Sequence, residues 1–198
     1  ILTKKFKRGS ILQDSSLTRK PADYGRVGVR LGGDSAERAV SLNSGEAVYQ
    51  GLIKAGVDAV KIDPQNGLYP QLIAEKIERV FIVLHGRGGE DGVVQGFLKV
   101  MDLPFTGSNV ASAALAMDKL KSKQIWSQLK IPTADFKAIK RGDNFGQTQA
   151  AEVMQGLGNC LFVKPVKEGS SVGMSKVNTV SELVDAVELA HQFDSHAL

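Results

Sequence analysis

Three short segments of this 198-residue chain combine glycines with charged or hydroxyl side chains, and each follows a predicted β-strand. The first is 31–38, LGGDSAER, whose glycines let the backbone pass close to a ligand at the carboxyl end of a sheet. Glu37 can cap the following helix from the third position after Asp34, or it can accept a substrate ammonium group. Spacing alone favours the cap. Because the segment is not a GxGxxG motif, it does not indicate dinucleotide binding.

The second segment is 85–92, HGRGGEDG, which contains four glycines in eight residues. Glycines raise the entropic cost of ordering a loop, so this loop is predicted to have a geometric task. His85 at the end of a strand can hydrogen-bond an anion or a substrate carboxylate. The alternative is a turn whose charges are merely solvated. Glu90 and Asp91 are adjacent in sequence, which argues against a shared role in general acid–base catalysis.

The third segment is 164–174, KPVKEGSSVGM, in which a strand delivers Lys164 and a second strand leaves after the loop. The loop offers backbone N–H groups and the hydroxyls of Ser170 and Ser171. Such loops wrap phosphate oxygens, and their mobility lets them close over a reactive intermediate. No GK[ST] ending or following helix is present, so this is not a Walker A loop, and a plain hairpin is the alternative. Lys119 is a second candidate for phosphate contact, although a lone lysine is usually solvated.

Alternating strands and helices must position the first two segments. Apolar patterning predicts strands over 27–31, 57–62 and 80–84, separated by helices over about 34–54 and 72–77 and followed by a helix over 93–101. The five apolar residues at 80–84 suit a strand that is buried on both faces of a parallel sheet. This order predicts right-handed βαβ crossovers and an open α/β sheet.

After Met117 the predicted organisation changes, and we place a domain boundary near residue 118. The pattern predicts helices at 119–129, near Ala150 and after Thr179, and strands at 134–139, 160–164 and 174–177. Thr179 and Glu182 have the spacing of a capping box. The single cysteine, Cys160, is predicted to be a buried strand thiol, and it excludes an internal disulfide framework.

Composition narrows the class of protein. With 42% hydrophobic and 23% charged residues, the chain is predicted to be globular rather than disordered or a coiled coil. No apolar run approaches the ~20 residues that cross a bilayer, so a soluble protein is expected. The net positive charge lies in the first 20 residues, which carry six basic side chains and one acidic one, whereas the remaining residues carry 19 basic and 20 acidic side chains. We therefore expect a basic, flexible extension over 1–25 and no nucleic-acid binding by the folded part.

Four collinear stretches resemble the D-alanine–D-alanine ligase family of ATP-grasp enzymes. They are LGGDSAERAVSLNSG, VFIVLHGRGGEDGVVQGFL, LPFTGSNVASAALAMDKLKSK and FVKPVKEGSSVGMSKV. The resemblance implies an α/β chain with an open parallel-sheet N-terminal substrate-binding domain over 26–118, followed by an incomplete α+β ATP-grasp domain over 119–198. It also overrides the preference for Glu37 as a cap, although both roles can coexist.

The resemblance implies a two-step reaction for peptidoglycan precursor synthesis. ATP phosphorylates the carboxylate of one D-alanine, and the amine of a second D-alanine attacks the acylphosphate. By motif, Glu37 holds the ammonium group of the first D-alanine, His85 lies near its carboxylate, and Ser170 orients Glu37. The residues implied to contact ATP or lie near its phosphates are Lys119, Lys164, Glu168, Gly169, Ser170 and Ser171.

The resemblance further implies Mg²⁺ (Mn²⁺ can substitute), a homodimer and a cytoplasmic location, without nucleic-acid or membrane partners. The family's metal ligands lie beyond Leu198, so we expect no metal site in this chain and no ligase activity from it alone. Arg30 departs from the family, which usually has an apolar strand residue there, and we expect it at a sheet edge or snorkelling to solvent. The alternatives are a D-alanine–D-lactate ligase, another ATP-grasp carboxylate–amine ligase, or a non-catalytic ligand-binding module.

Overall fold

The computed structural model describes residues 19–198, so most of the predicted basic extension over 1–25 lies outside the described residues. The first element is a 3₁₀ turn at Pro21–Tyr24. Tyr24 packs against the hydrophobic core of the first sheet, and its carbonyl accepts a hydrogen bond from Arg79. The segment just before the first strand is therefore attached to the folded chain.

A three-stranded parallel sheet forms the N-terminal part of the fold. Its central strand is β1 (Val27–Arg30), which pairs with β2 (Ala59–Ile62) on one side and with β3 (Arg79–Ile82) on the other. This confirms the predicted α/β architecture. The elements in chain order are β1 (Val27–Arg30), α1 (Arg38–Lys54), β2 (Ala59–Ile62), α2 (Leu68–Ala74), β3 (Arg79–Ile82), α3 (Val93–Val100) and α4 (Val110–Met117).

The central strand β1 is buried on both faces. Val27 and Val29 pack into one core cluster. On the other face, a Cβ added at Gly28 would lie 3.2 Å from side-chain atoms of Ile62 and Ile77, which explains the glycine there. The parallel strands end at a common edge, and the first loop (32–37) and the second loop (85–92) both begin there.

A buried serine joins the bases of these two loops. Ser41 is fully buried on α1, where its hydroxyl donates to the Val83 carbonyl at 2.6 Å and accepts from the Gly32 N–H at 3.0 Å. These two hydrogen bonds give the Gly32 N–H and the Val83 carbonyl a partner in a place where the buried Ser41 hydroxyl, rather than water, is their neighbour. The first and second loops are therefore held at a constant separation where they leave the sheet.

The second part of the fold is built from helices and two short antiparallel strand pairs. In one pair β5 (Leu161–Val163) lies beside β6 (Ser175–Val177), and in the other β4 (Ile139–Lys140) lies beside β7 (His196–Ala197). Its core includes Met154, Leu183 and Val187. The predicted boundary near 118 remains a prediction, and it lies where Asp118 caps the next helix through the Lys121 N–H. The elements are α5 (Lys119–Gln128), β4 (Ile139–Lys140), α6 (Gln147–Leu157), β5 (Leu161–Val163), β6 (Ser175–Val177), α7 (Val180–Phe193) and β7 (His196–Ala197).

Several expectations for the second part are corrected. The strand expected over 134–139 is only Ile139–Lys140, because its partner β7 offers two residues for pairing. Sequence patterning does not predict α4, which begins where the Asn109 side chain accepts the Ser112 N–H. Cys160 is exposed rather than buried, because it lies just outside β5. The capping box of Thr179 and Glu182 at the start of α7 is confirmed.

Arg30 is buried in the central strand, so the expectation of an edge or snorkelling position is wrong. Its side chain is 7% exposed, and Nε and Nη1 have no hydrogen-bond partner among residues 19–198. Burial lowers the pKa of Arg30 to about 10, although the negative charges of Asp34 and Asp91 oppose that shift. A buried guanidinium with unpaired donors destabilises the folded chain.

We predict that Arg30→Leu raises stability by about 1–3 kcal/mol, because it removes the desolvation cost of two unpaired donors. Thermal unfolding near pH 7 measures the change. Arg26→Leu is the control: Arg26 has one buried donor without a partner among residues 19–198, its Nε, but it is paired with Glu75 at 2.7 Å, and loss of that pair lowers the melting temperature.

The advantage of Arg30→Leu also depends on pH. The folded-state pKa lies below the unfolded value, so the penalty is fully present below about pH 10 and declines as pH rises through that value. An Arg30→Leu variant that is less stable than the wild type at pH 7 would contradict this assignment.

Candidate active site

The first loop, the second loop and the serine loop (165–173) meet at the carboxylate of Glu37. Glu37 is the last residue of the first loop and directly precedes α1. The hydroxyl of Ser170, in the serine loop, donates a hydrogen bond to Glu37 Oε1. A Cβ added at Gly86 of the second loop would lie 2.7 Å from Glu37 Oε2, and one added at Gly169 would lie 3.0 Å from the same atom. The two glycines therefore leave space that this carboxylate occupies.

Glu37 occupies the N-cap position of α1, which begins at Arg38, but its side chain makes no capping hydrogen bond. The capping-box interpretation, with Asp34 as the cap and Glu37 three residues later, is therefore wrong. The hydroxyl of Ser35 makes the local hydrogen bond to the backbone before α1, because it accepts from the Glu37 N–H at 3.2 Å. The same hydroxyl donates to the His85 carbonyl at 2.8 Å. The Glu37 carboxylate is left free to face the other two loops.

His85 lies at the start of the second loop, beside α1. Its Nε2 is 3.1 Å from the hydroxyl of Ser44, and that hydroxyl also lies 2.8 Å from the Val40 carbonyl. The tautomer of the ring decides whether Nε2 or the hydroxyl donates. Nδ1 makes no hydrogen bond within residues 19–198, so it is the ring atom left to contact a ligand.

The acidic side chains of the second loop bind its own backbone. The Glu90 carboxylate accepts the Gly86 N–H at 2.8 Å, and the Asp91 carboxylate accepts the Gly88 N–H at the same distance. Both carboxylates therefore help to hold the shape of their loop, although Glu90 is exposed to solvent. That they share no acid–base role stays a prediction.

Two lysines lie at the base of the serine loop. The Lys119 ammonium donates to the carbonyls of Pro165 at 3.2 Å and Val166 at 3.4 Å, and also to the carbonyl of Glu168. Burial lowers the pKa of Lys119, and the positive charge of Lys164 lowers it further. The carboxylates of Glu168, Asp194 and Asp118 oppose this lowering of the Lys119 pKa.

The serine loop exposes its backbone donors. Ser170 and Ser171 both adopt left-handed φ values, 43° and 64°, which are unusual for residues with a Cβ. Among the described residues, the N–H groups of Gly169, Ser170 and Ser171 have no hydrogen-bond acceptor. Successive unpaired N–H groups in such a turn form a concave surface that attracts anions.

A cavity of about 860 Å³ lies beside the two lysines. Its walls are mainly apolar and include the rings of Trp126 and Phe162 as well as Leu183. An apolar cavity with a few charged groups at one end is typical of a small-molecule site.

An ion pair that spacing does not single out shapes the first loop. Arg38 Nη2 lies 2.6 Å from Asp63 Oδ2, and Nη1 donates to the Gly33 carbonyl at 2.9 Å. The hydrogen bond from Arg38 lowers the pKa of Asp63. The arginine directly follows Glu37, but its partner comes after β2 and becomes its neighbour only in the folded sheet.

Residues 19–198 lack two further features. This range holds no group of three or more His, Cys, Asp or Glu side chains that could bind a metal ion. It also has no helix long and apolar enough to cross a membrane.

The chain matches two family models. Residues 58–108 match the D-ala D-ala ligase N-terminus, and residues 125–198 match the D-ala D-ala ligase C-terminus. A curated D-alanine--D-alanine ligase B from Pseudomonas syringae is 51% identical over 181 residues, which cover 91% of this chain and 55% of that protein. The chain thus spans just over half the length of this relative.

Solved structures agree with the sequence match. A D-alanine–D-alanine ligase from Bacillus anthracis superposes with a TM-score of 0.75 and 34% identity, covering 87% of this chain and 55% of that one. A structure of the Bacillus anthracis ligase complexed with ATP gives a TM-score of 0.73 and 32% identity, over 87% and 56% of the two chains. With motifs, family models and fold in agreement, the chain belongs to the D-alanine–D-alanine ligase family.

Proposed function

We propose that this chain supplies the substrate-binding and phosphate-binding parts of an enzyme that joins two D-alanines at the expense of ATP. The observation that carries the proposal is the hydrogen bond between Ser170 and Glu37. It brings a carboxylate that can accept an ammonium group next to a loop whose open N–H groups can bind phosphate. A reaction in which ATP phosphorylates an amino acid needs these two features together.

In this proposal, Glu37 and His85 bind the first D-alanine at opposite ends. The Glu37 carboxylate accepts the ammonium group, and the enclosure by Gly86 and Gly169 limits how far the carboxylate can move. A protonated His85 ring donates from Nδ1 to the substrate carboxylate, while Ser44 orients the ring through Nε2. Fixing both ends of a small zwitterion directs its carboxylate toward the transferring phosphoryl group.

Lys119, Lys164 and the loop 168–171 bind the ATP phosphates. Their positive charge stabilises the charge that spreads over the transferring phosphoryl group. Lys119 now donates to three loop carbonyls, so phosphate oxygens replace some of these acceptors when ATP binds. The apolar cavity beside the lysines accepts the base of the nucleotide.

Closure of the serine loop protects the D-alanyl phosphate from water. The loop contacts Glu37 through Ser170, so a bound first substrate and a closed loop support one another. The amine of the second D-alanine then attacks the acylphosphate, the peptide bond forms and phosphate leaves. We assign no step to Mg²⁺ in this chain, because the described residues offer no set of ligands for it. A homodimer in the cytoplasm is the assembly and location we propose.

We predict that Glu37→Gln in the full-length enzyme lowers D-alanine-dependent ADP formation by about tenfold to a hundredfold. Glutamine keeps the size of the side chain and can still accept from Ser170, but it loses the charge that pairs with the ammonium group. A coupled ADP assay over a range of D-alanine concentrations measures the change, with D-lactate as the alternative second substrate.

Glu46→Gln is the matched control, because Glu46 is exposed on the same helix and paired with Lys61 at 3.1 Å. Its activity should equal that of the wild type. The proposal fails if the wild type forms no ADP in response to D-alanine, or if the two variants are equally active.

We also predict that Gly86→Ala weakens the response to D-alanine far more than Gly88→Ala. Both glycines have left-handed φ values, 70° and 76°, so both substitutions strain the backbone. Only the Cβ at 86 meets the Glu37 carboxylate, whereas the position at 88 faces open space. The ratio of the two KM values for D-alanine isolates the collision, and a ratio near one would contradict the proposed position of Glu37.

A further inference from the structure

Arg87, in the second loop, reaches across to the second part of the fold. Its side chain is about half exposed, yet Nε lies 2.5 Å from Glu168 Oε1, and Nη2 donates to the Phe193 carbonyl at 2.8 Å. Glu168 begins the turn of the serine loop, and Phe193 is the last residue of α7. One planar guanidinium therefore binds two elements that are distant in sequence.

Both contacts of Arg87 bear on the serine loop. The Glu168 side chain is largely buried, and the carbonyl of the same residue accepts from Lys119. At the other end of the loop, a Cβ added at Gly173 would lie 2.5 Å from the Phe193 ring, so this ring packs directly beneath the loop. Arg87 thus holds one residue at the start of the loop and a support at its end.

This link is separate from the contact between Ser170 and Glu37, which holds the middle of the loop. The positive φ values of Ser170 and Ser171 show that the loop needs such restraint, because isolated serines rarely adopt them.

We propose that Arg87 is a positioning residue that holds the serine loop in its phosphate-binding conformation before nucleotide arrives. The importance of the loop for ATP rests on the function proposed above, but the restraint itself does not. Arg87 touches neither reacting group, and it acts through Glu168 and Phe193.

Hydrogen exchange in this chain without ligand tests the restraint. The reporters are the Val172 and Met174 amides, which donate to the Gly169 and Ser171 carbonyls within the loop. Arg87→Gln should speed their exchange by about threefold to tenfold, and Arg87→Lys by less, because an ammonium can still pair with Glu168. Raising the salt concentration should speed exchange in the wild type but not in Arg87→Gln.

Arg141→Gln is the matched control. Arg141 also donates to carbonyls at the end of α7, those of His191 and Asp194, and it has no hydrogen bond to the serine loop. This variant should leave the exchange of both reporter amides unchanged. Equal exchange in the Arg87→Gln and Arg141→Gln variants would overturn the inference.

Kinetics of the full-length enzyme give a second, independent readout. Arg87→Gln should raise the KM for ATP by about tenfold while the KM for D-alanine changes less than threefold, because Glu37 and its glycines remain in place. Equal increases in both constants would overturn the positioning role. The two proposals can fail separately. If Arg87→Gln speeds the exchange of the reporter amides but neither the wild type nor any variant turns over ATP, the restraint by Arg87 stands and the proposed function is refuted.

Discussion

The contact between Glu37 and Ser170 is the interaction on which the rest of the site depends. Removing a carboxylate from water costs free energy unless its oxygens find hydrogen-bond donors. Here Glu37 Oε1 accepts a hydrogen bond from the Ser170 hydroxyl, which belongs to the second part of the fold. The second oxygen lies 2.7 Å from where a Cβ at Gly86 would stand and 3.0 Å from where one at Gly169 would stand. Ser35 and Ser41 fix the loops that bring these groups together. The fold thus uses short polar side chains to hold a single charged one.

Opposite charge gathers on the far side of this contact. Lys119 is partly desolvated, lies near Lys164 and donates to backbone carbonyls that only partly balance its charge. The neighbouring backbone N–H groups have no acceptor among residues 19–198. The serine loop therefore has negative charge from Glu37 at Ser170 and positive charge from Lys119 and Lys164 at its base.

Local patterns account for much of the first sheet but for less of the site. Strand β1 and the helix after Thr179 follow from apolar alternation and capping chemistry, both of which act within a few residues. The capping role of Glu37 fails because a contact 133 residues away outweighs local spacing. Arg30 and the pair of Arg38 with Asp63 likewise depend on which strands become neighbours. Cys160 is exposed because β5 begins one residue later than its apolar neighbours suggest.

The left-handed serines have a consequence for product release in the proposed reaction. Each such residue costs about 1–3 kcal/mol, and the hydrogen bond from Ser170 to Glu37 helps to offset that cost. If phosphate binds to the N–H groups of this turn, as proposed, its departure removes part of the compensation and favours relaxation of the backbone. The strained turn would then also shorten the time for which spent products stay bound.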